Sequence, residues 1–201
     1  MKIKSINKVF ALISFAISFI VYLLTMAPTA SLWDTGEFIA TAHTLGVAHP
    51  PGAPFYTLLG NILSNIPIFE NIGARVNLLS PLSSAFAVMF LYLIIVMLIE
   101  YYNGKSKNIS DVIIIYSSAL IAALTFAVTD SQWFNAVESE VYALSTFFTA
   151  ITLWLAIKWA VETEKDSWNP RYLLLIIYLI GLSTGVHNLN LLVVPVIGLI
   201  L

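Results

Sequence analysis

Between Ser31 and Pro54 the chain reads SLWDTGEFIATAHTLGVAHPPGAP, and here the side chains best suited to chemistry are concentrated. The stretch holds the carboxylates of Asp34 and Glu37 and two of the chain's three histidines, His43 and His49. It directly follows an apolar run long enough to cross a bilayer. Ionisable groups so close to hydrocarbon are costly, and they mark a functional site by default. Asp34, Glu37, Thr41 and Thr44 recur at helical spacing, with Phe38, Ile39, Ala42 and Leu45 on the other side. This pattern predicts a short amphipathic helix presenting two carboxylates to water or to a cavity. A second reading stays open: Ser31-x-x-Asp34 and Asp34-x-x-Glu37 both fit a capping box, in which the acids serve only the helix start. His49-Pro50-Pro51-Gly52 is a stiff element. Pro50 keeps His49 out of the helical region and Gly52 permits a sharp turn, so the direction of the imidazole is held. The alternative is a plain connector between two interfacial helices. His43 lies off the acidic stripe and reads as structural, and Trp33 suits an interfacial anchor.

Two later clusters add to this set. Gln132 to Tyr142, QWFNAVESEVY, holds Glu138 and Glu140. Two helical residues at that spacing do not share a face, so one acid is expected to point inward, Glu138 with Asn135 and Tyr142 as companions. Otherwise the acids decorate a helix N-terminus, where the dipole favours them. Gly181 to Asn190, GLSTGVHNLN, places His187 and Asn188 at the end of an apolar run, with Gly181 and Gly185 at the spacing of close helix packing. A hydrogen-bonded helix end is the alternative for His187 and its asparagines. Acids with histidines suit Mg²⁺ or Mn²⁺ better than zinc. No HExxH and no tight ligand triplet is present in the sequence, so a divalent metal stays open. Cysteine is absent, which removes disulfides, thiolate zinc sites and cysteine nucleophiles. Phosphate-binding Walker loops, dinucleotide-binding glycines and a GxSxG elbow are missing as well.

The elements that must position these groups are membrane helices. The composition is 59% hydrophobic and only 10% charged, with a mean hydropathy of +0.90. Soluble domains carry about 25% charged residues, so an all-α polytopic membrane protein is expected. A net charge of −2, with no basic stripe, excludes nucleic acid as a partner. Apolar runs at 9–27, 78–99, 112–128, 141–159 and 172–186 predict five spans. The first exceeds the apolar core of a signal peptide and lacks a following A-x-A, so it reads as retained. Between the first two runs lies a long loop, 28–77. Within it Phe55 to Phe69 is interrupted by Asn61, Ser64, Asn65 and Pro67, and reads as an interfacial or re-entrant helix. Orientation follows from basic residues, which favour the cytoplasmic side. With the N-terminus cytoplasmic, Lys2, Lys4, Lys8, Lys105, Lys107, Lys158, Lys165 and Arg171 fall inside, and of the nine basic residues only Arg75 falls outside. Asp34, Glu37, His43, His49, Arg75, Asp130, Glu138, Glu140 and His187 then share the outer face. The chain stops within the apolar run Leu191 to Leu201, too short for a span, so residues 1–201 are expected to be the N-terminal module of a longer protein.

In order, WDTGEF, HPPGAPF, AVESEVYAL and GLSTGVHNLNLL resemble the bacterial multi-span domain-of-unknown-function family related to the animal transmembrane protein O-mannosyltransferase. The resemblance covers nearly the whole chain from Pro28 onward. It implies a GT-C-type glycosyltransferase, with the long first extracytoplasmic loop carrying interfacial helices and a catalytic acid soon after the first span. It further implies a multi-pass protein of the bacterial inner membrane, acting on its periplasmic face. The donor would be a polyprenyl-phosphate sugar, most simply mannose, and the acceptor a Ser/Thr hydroxyl of an exported protein. No cofactor beyond the lipid-linked donor is required, apart from the open question of a metal.

Transfer of this kind needs a base to take the acceptor's proton, typically worth 10²–10⁴-fold. The phosphate leaving group needs no general acid, only stabilisation of its charge. Asp34 and Glu37 are the catalytic candidates, Asp34 as base with Glu37 helping to position substrate. His49, Arg75, Glu138, Glu140, His187 and Asn188 are the substrate-binding candidates, Arg75 being the one basic side chain on the expected face. A transporter would place its polar groups at mid-membrane depth instead. A non-catalytic assembly subunit would tolerate alanine at Asp34, Glu37 and His49 together.

Overall fold

The structure, a computed structural model, describes residues 3–104, 108–164 and 169–200. Lys2, Lys105, Lys107 and Lys165, which contributed to the expected orientation, lie outside the described residues. All regular structure among the described residues is helical, as composition and periodicity predicted. The order is α1 (Ile3–Thr25), α2 (Thr35–Thr44), α3 (Pro54–Ser64), α4 (Ile72–Asn77), α5 (Leu79–Asn103), α6 (Ile109–Ala127), α7 (Asp130–Ala136), α8 (Val141–Thr163), α9 (Pro170–Thr184) and α10 (Val193–Ile200). A 3₁₀ turn, Asn188–Leu192, joins the last two.

Among the described residues, four helical stretches are long and apolar enough to cross a membrane: α1, α4–α5 taken together, α6 and α8. The fifth expected span differs. Its helix, α9, has 15 residues and stops at Gly185, so at 1.5 Å per residue it covers about 22 Å of a roughly 30 Å hydrocarbon core. Phe55 to Phe69 also behaves as its polar interruptions predicted. Its helix α3 has 11 residues and is too short to cross.

Helix ends follow local chemistry. Pro28 sits just beyond the end of α1 and Pro54 opens α3, where its missing N–H is not needed. Asn71, Asn108 and Asn169 each cap the following helix through a side-chain oxygen. The break between α4 and α5 falls at Leu78, because Pro81 has no N–H to offer the carbonyl of Asn77.

The longest helix, α5, is the centre of the bundle and packs against α1, α6 and α8, while α8 carries α9 and α10 on its other side. Small residues allow the close approach of α1 and α6: Ala11, Ser14, Ser18, Ala119, Ala123 and Ala127 are all buried. The Tyr22 hydroxyl donates to the Ala127 carbonyl at 2.7 Å and pins the far end of α1 to that of α6. Outward positions such as Leu12, Ile20, Leu24, Ile113, Ile114, Ile121, Leu174 and Ile177 are exposed and apolar, as a lipid-facing surface requires. At one end of the bundle, α2, α3 and α4 fold over the start of α5. There a second core forms from Phe38, Ala48, Ala53, Tyr56, Leu79, Val141, Leu144, Phe148 and Val186. Four separate segments meet in this core, and it is the platform for the polar groups.

Candidate active site

The acidic helix forms as expected, but its acids do not cap it. Asp34 occupies the N-cap position of α2 and its side chain makes no capping hydrogen bond. Glu37 turns away from the helix start: Oε1 accepts the backbone N–H of His49 at 2.6 Å, and Oε2 lies 3.0 Å from His49 Nδ1. Ser31, the other capping candidate, donates instead to Oε2 of Glu138, far away in sequence. The capping reading is therefore corrected: Asp34 is left available to a site, while Glu37 is engaged by His49. The backbone around α2 is unusual. Trp33 (φ 58°) and Leu45 (φ 52°) adopt left-handed conformations on either side of it, a geometry that side chains other than glycine rarely take and that clusters near functional sites. Leu45 closes the helix in a Schellman arrangement, with Gly46 N donating to Thr41 O at 2.8 Å.

The His-Pro-Pro-Gly segment acts as a positioning device. Gly52, at φ 73°, donates its N–H to the His49 carbonyl at 2.7 Å and closes the turn. His49 is thus held by the turn that follows it, by Glu37 on its backbone and ring, and by a tilted contact with the Phe38 ring, centroids 5.7 Å apart. The hydrogen bond from His49 holds the Glu37 carboxyl below its ordinary value, and the same bond lifts the imidazole above its own. Asp34 and Glu140 add to the lift on His49 through their charge.

Glu138 and Glu140 lie where helical reasoning does not apply. Residues 137–140 form a non-helical link between α7 and α8, so the expectation that one acid points inward and one away is corrected. Both are buried, Glu138 3% and Glu140 6% exposed. Glu138 pairs with Ser31 rather than with Asn135 or Tyr142, and its Oε1 is buried without a hydrogen-bond partner. Asn135 bonds Ser131 in its own helix, and the Tyr142 ring meets His187 at 5.3 Å. Burial, together with the nearby charges of Asp34 and Glu138, pushes the Glu140 carboxyl up to about 7. His187 caps the 3₁₀ turn by accepting Leu189 N at 3.1 Å, and burial pushes its imidazole down, towards the neutral form.

These groups converge on one small open pocket, lined by Asp34, Phe38, His49, Pro51, Gly52, Ala53, Glu140, Val141, Tyr142, Val186 and His187. Glu37 and Glu138 do not line it: Glu37 pairs with His49, and Glu138 acts on Glu140 through its charge. Two expected members are elsewhere. Arg75 lends its guanidinium to the carbonyls of Phe69, Ser64 and Glu70, at 2.6, 3.1 and 3.3 Å, and so fastens the α3–α4 loop. Asn188 is exposed at the start of the 3₁₀ turn and does not line the pocket. His43, read as structural, lies 3.2 Å from the Ser64 hydroxyl through Nδ1, also outside the pocket.

Sequence reasoning missed the framework that assembles the pocket. Asn77, fully buried, donates to the carbonyls of Ala27 and Thr29 at 2.7 and 3.0 Å and accepts from the Ser139 hydroxyl. The N–H of Ala27 donates to Val137 O at 2.8 Å, and that of Phe55 to Gly185 O at 2.7 Å. These bonds stitch the exit of α1, the α7–α8 link and the end of α9 to the α2–α4 cap. A polar Asn77 at the head of an apolar run was the available signal. At Gly185 an added Cβ would lie 3.0 Å from that of Phe55, whereas Gly181 faces open space. The small-residue spacing thus matters at one position, for the α3 contact.

Fold and site together define a multi-span helical membrane protein with a carboxylate–imidazole pocket at one end of its bundle. Residues 34–201 match the family described as the protein O-mannosyl-transferase TMEM260 N-terminal domain, and the chain belongs to that family. It is 28% identical over 189 residues to the protein O-mannosyl-transferase tmem260 of Dictyostelium discoideum, covering 88% of this chain and 21% of that protein. It is 30% identical over 143 residues to the protein O-mannosyl-transferase TMEM260 of Mus musculus, covering 71% of this chain and 18% of that protein. The chain thus spans about a fifth of the length of these curated relatives. No solved structure matches it.

Proposed function

We propose that this chain carries part of the active site of a GT-C-type membrane glycosyltransferase, one that moves mannose from a polyprenyl-phosphate donor to a Ser/Thr hydroxyl of a protein acceptor. The relatives' names as protein O-mannosyltransferases support the reaction class. The observation that carries the assignment of residues is the state of Asp34: an exposed, uncapped carboxylate lining an open pocket, beside an imidazole aimed by a second carboxylate. A base must be free to accept a proton, and Asp34 is, whereas both oxygens of Glu37 are committed to His49. Glu37 therefore positions His49, and His49 and His187 are placed to orient the acceptor hydroxyl or the sugar. Tyr142 forms an aromatic edge of the pocket suited to a sugar face.

The polar end of the bundle faces the extracytoplasmic side in this reading. Lys8, Lys158 and Arg171 belong to the opposite ends of α1, α8 and α9, and basic residues favour the cytoplasm. A lipid-linked donor then presents its phosphate at the membrane surface, level with the pocket. The test is Asp34→Asn in the full-length protein, assayed for transfer of labelled mannose from polyprenyl-phosphate-mannose to a Ser/Thr peptide. Loss of a positioned base is expected to lower the rate by about 10²–10⁴-fold with membrane insertion and apparent melting temperature unchanged. Wild-type rates in that variant would overturn the assignment of the base, and absence of transfer by the wild-type protein would overturn the reaction.

A further inference from the structure

We propose that Asp34, Glu37 and His49 hold one hard divalent cation of the Mg²⁺/Mn²⁺ class. One donor atom from each of these side chains lies within 4.8 Å of the others. On a shared ion with bonds of about 2.1 Å, neighbouring donors sit about 3 Å apart and opposite ones about 4.2 Å, so side-chain movement of about 1–2 Å closes the set. The set is partly preorganised, because Glu37 Oε2 and His49 Nδ1 already lie 3.0 Å apart, the spacing of neighbouring donors on one ion, which would replace the hydrogen bond between them. Two carboxylates and one imidazole, with no thiolate, favour an oxygen-seeking ion over zinc.

The charge around the cluster points to a cation independently of that geometry. Glu140, 6% exposed, lines the same pocket and makes no capping bond. Glu138, outside the pocket lining, keeps Oε1 buried and without a hydrogen-bond partner. No lysine or arginine among the described residues lines the pocket, and the Arg75 guanidinium is committed to three backbone carbonyls. One imidazole, His49, faces the carboxylates of Asp34, Glu37 and Glu140 and leaves them in excess, and an ion of charge +2 is the direct compensation for buried acid. Its role rests on the proposed function: a pocket walled by acids repels a donor phosphate unless a cation stands between them. One oxygen of Asp34 can bind the ion while the other accepts the acceptor's proton.

The site is tested by binding and not by activity alone. Mn²⁺ is titrated into the purified full-length protein and followed by electron paramagnetic resonance, with Mg²⁺ as competitor. One Mn²⁺ per chain is expected, displaced by Mg²⁺, with affinity at least about tenfold lower in Asp34→Asn and in His49→Ala and unchanged in Lys158→Ala at the opposite end. Absence of stoichiometric binding, equal affinity in all variants, or occupancy by Zn²⁺ alone would overturn the proposal. Mn²⁺ binding without any sugar transfer would support the cation site while removing the glycosyltransferase reading. Full transfer by chelator-treated, Mn²⁺-free protein would overturn the cation's role at the donor phosphate and leave that reading intact.

Discussion

Glu140 offers a direct measure of how the pocket is built. Its carboxyl is pushed from 4.5 up to about 7, first by burial and then by the charges of Asp34 and Glu138. An acid whose value rises on folding stabilises the native state only while protonated. Its contribution is complete below about pH 4.5 and is lost as pH rises through 7. At roughly 1.4 kcal/mol per pH unit, the charged form costs the fold about 3 kcal/mol above pH 8, an upper figure because the group still touches an open pocket. Glu140→Gln keeps the shape and removes the charge. In chelator-containing buffer at pH 8 the variant should therefore melt higher than wild type, by up to about 6–12 °C for a chain of this size. At pH 4.5 the two should melt together. The assay is the apparent melting temperature in detergent, read across this pH range. A constant offset between the proteins at all pH values, or a lower melting temperature for the variant at pH 8, would refute the burial and charge crowding assigned to Glu140.

Three further outcomes follow from the same geometry. In Glu37→Gln the His49 imidazole loses its main partner, so its titration midpoint, followed by NMR of labelled histidine, should move to lower pH; an unmoved midpoint would remove the pairing. Asn77→Ala strips the α1 exit and Ser139 of their shared partner and should cost at least about 2 kcal/mol, seen as a lower melting temperature; a loss near zero would show that Asn77 does not hold the cap to the bundle. Gly60→Ala places a methyl 2.8 Å from the Cβ of Ala42 and 3.3 Å from Val76, and overpacking of the α2–α3 contact should cost about 1–3 kcal/mol, whereas a neutral or stabilising effect would contradict that close approach.

Hydropathy alone determined the class of fold, because a bilayer demands long apolar helices and each such run is local in sequence. Asp34 and Glu37 were legible for a similar reason: charge beside an apolar run is costly, and helical spacing put both acids on one stripe. The stiff turn after His49 could be read from Pro50 and Gly52, whose backbone preferences do not depend on context. What these residues touch could not be read. Whether Asp34 and Glu37 cap α2 or serve a site depended on Ser31 finding Glu138, and Glu37 finding His49, contacts made only when separate segments pack. Glu138 and Glu140 were assigned to a helix because local spacing carries no sign that residues 137–140 leave it. Arg75 had the expected charge and the expected end of the bundle, yet three backbone carbonyls of its own loop claim it. The apolar pattern of residues 172–186 likewise could not show that the helix breaks at Gly185, where the chain closes against Phe55. Sequence thus determined which elements exist and which residues are chemically able. Tertiary packing decided which of them meet, because hydrogen bonds and charge pairs act over a few ångströms between atoms that the chain keeps far apart.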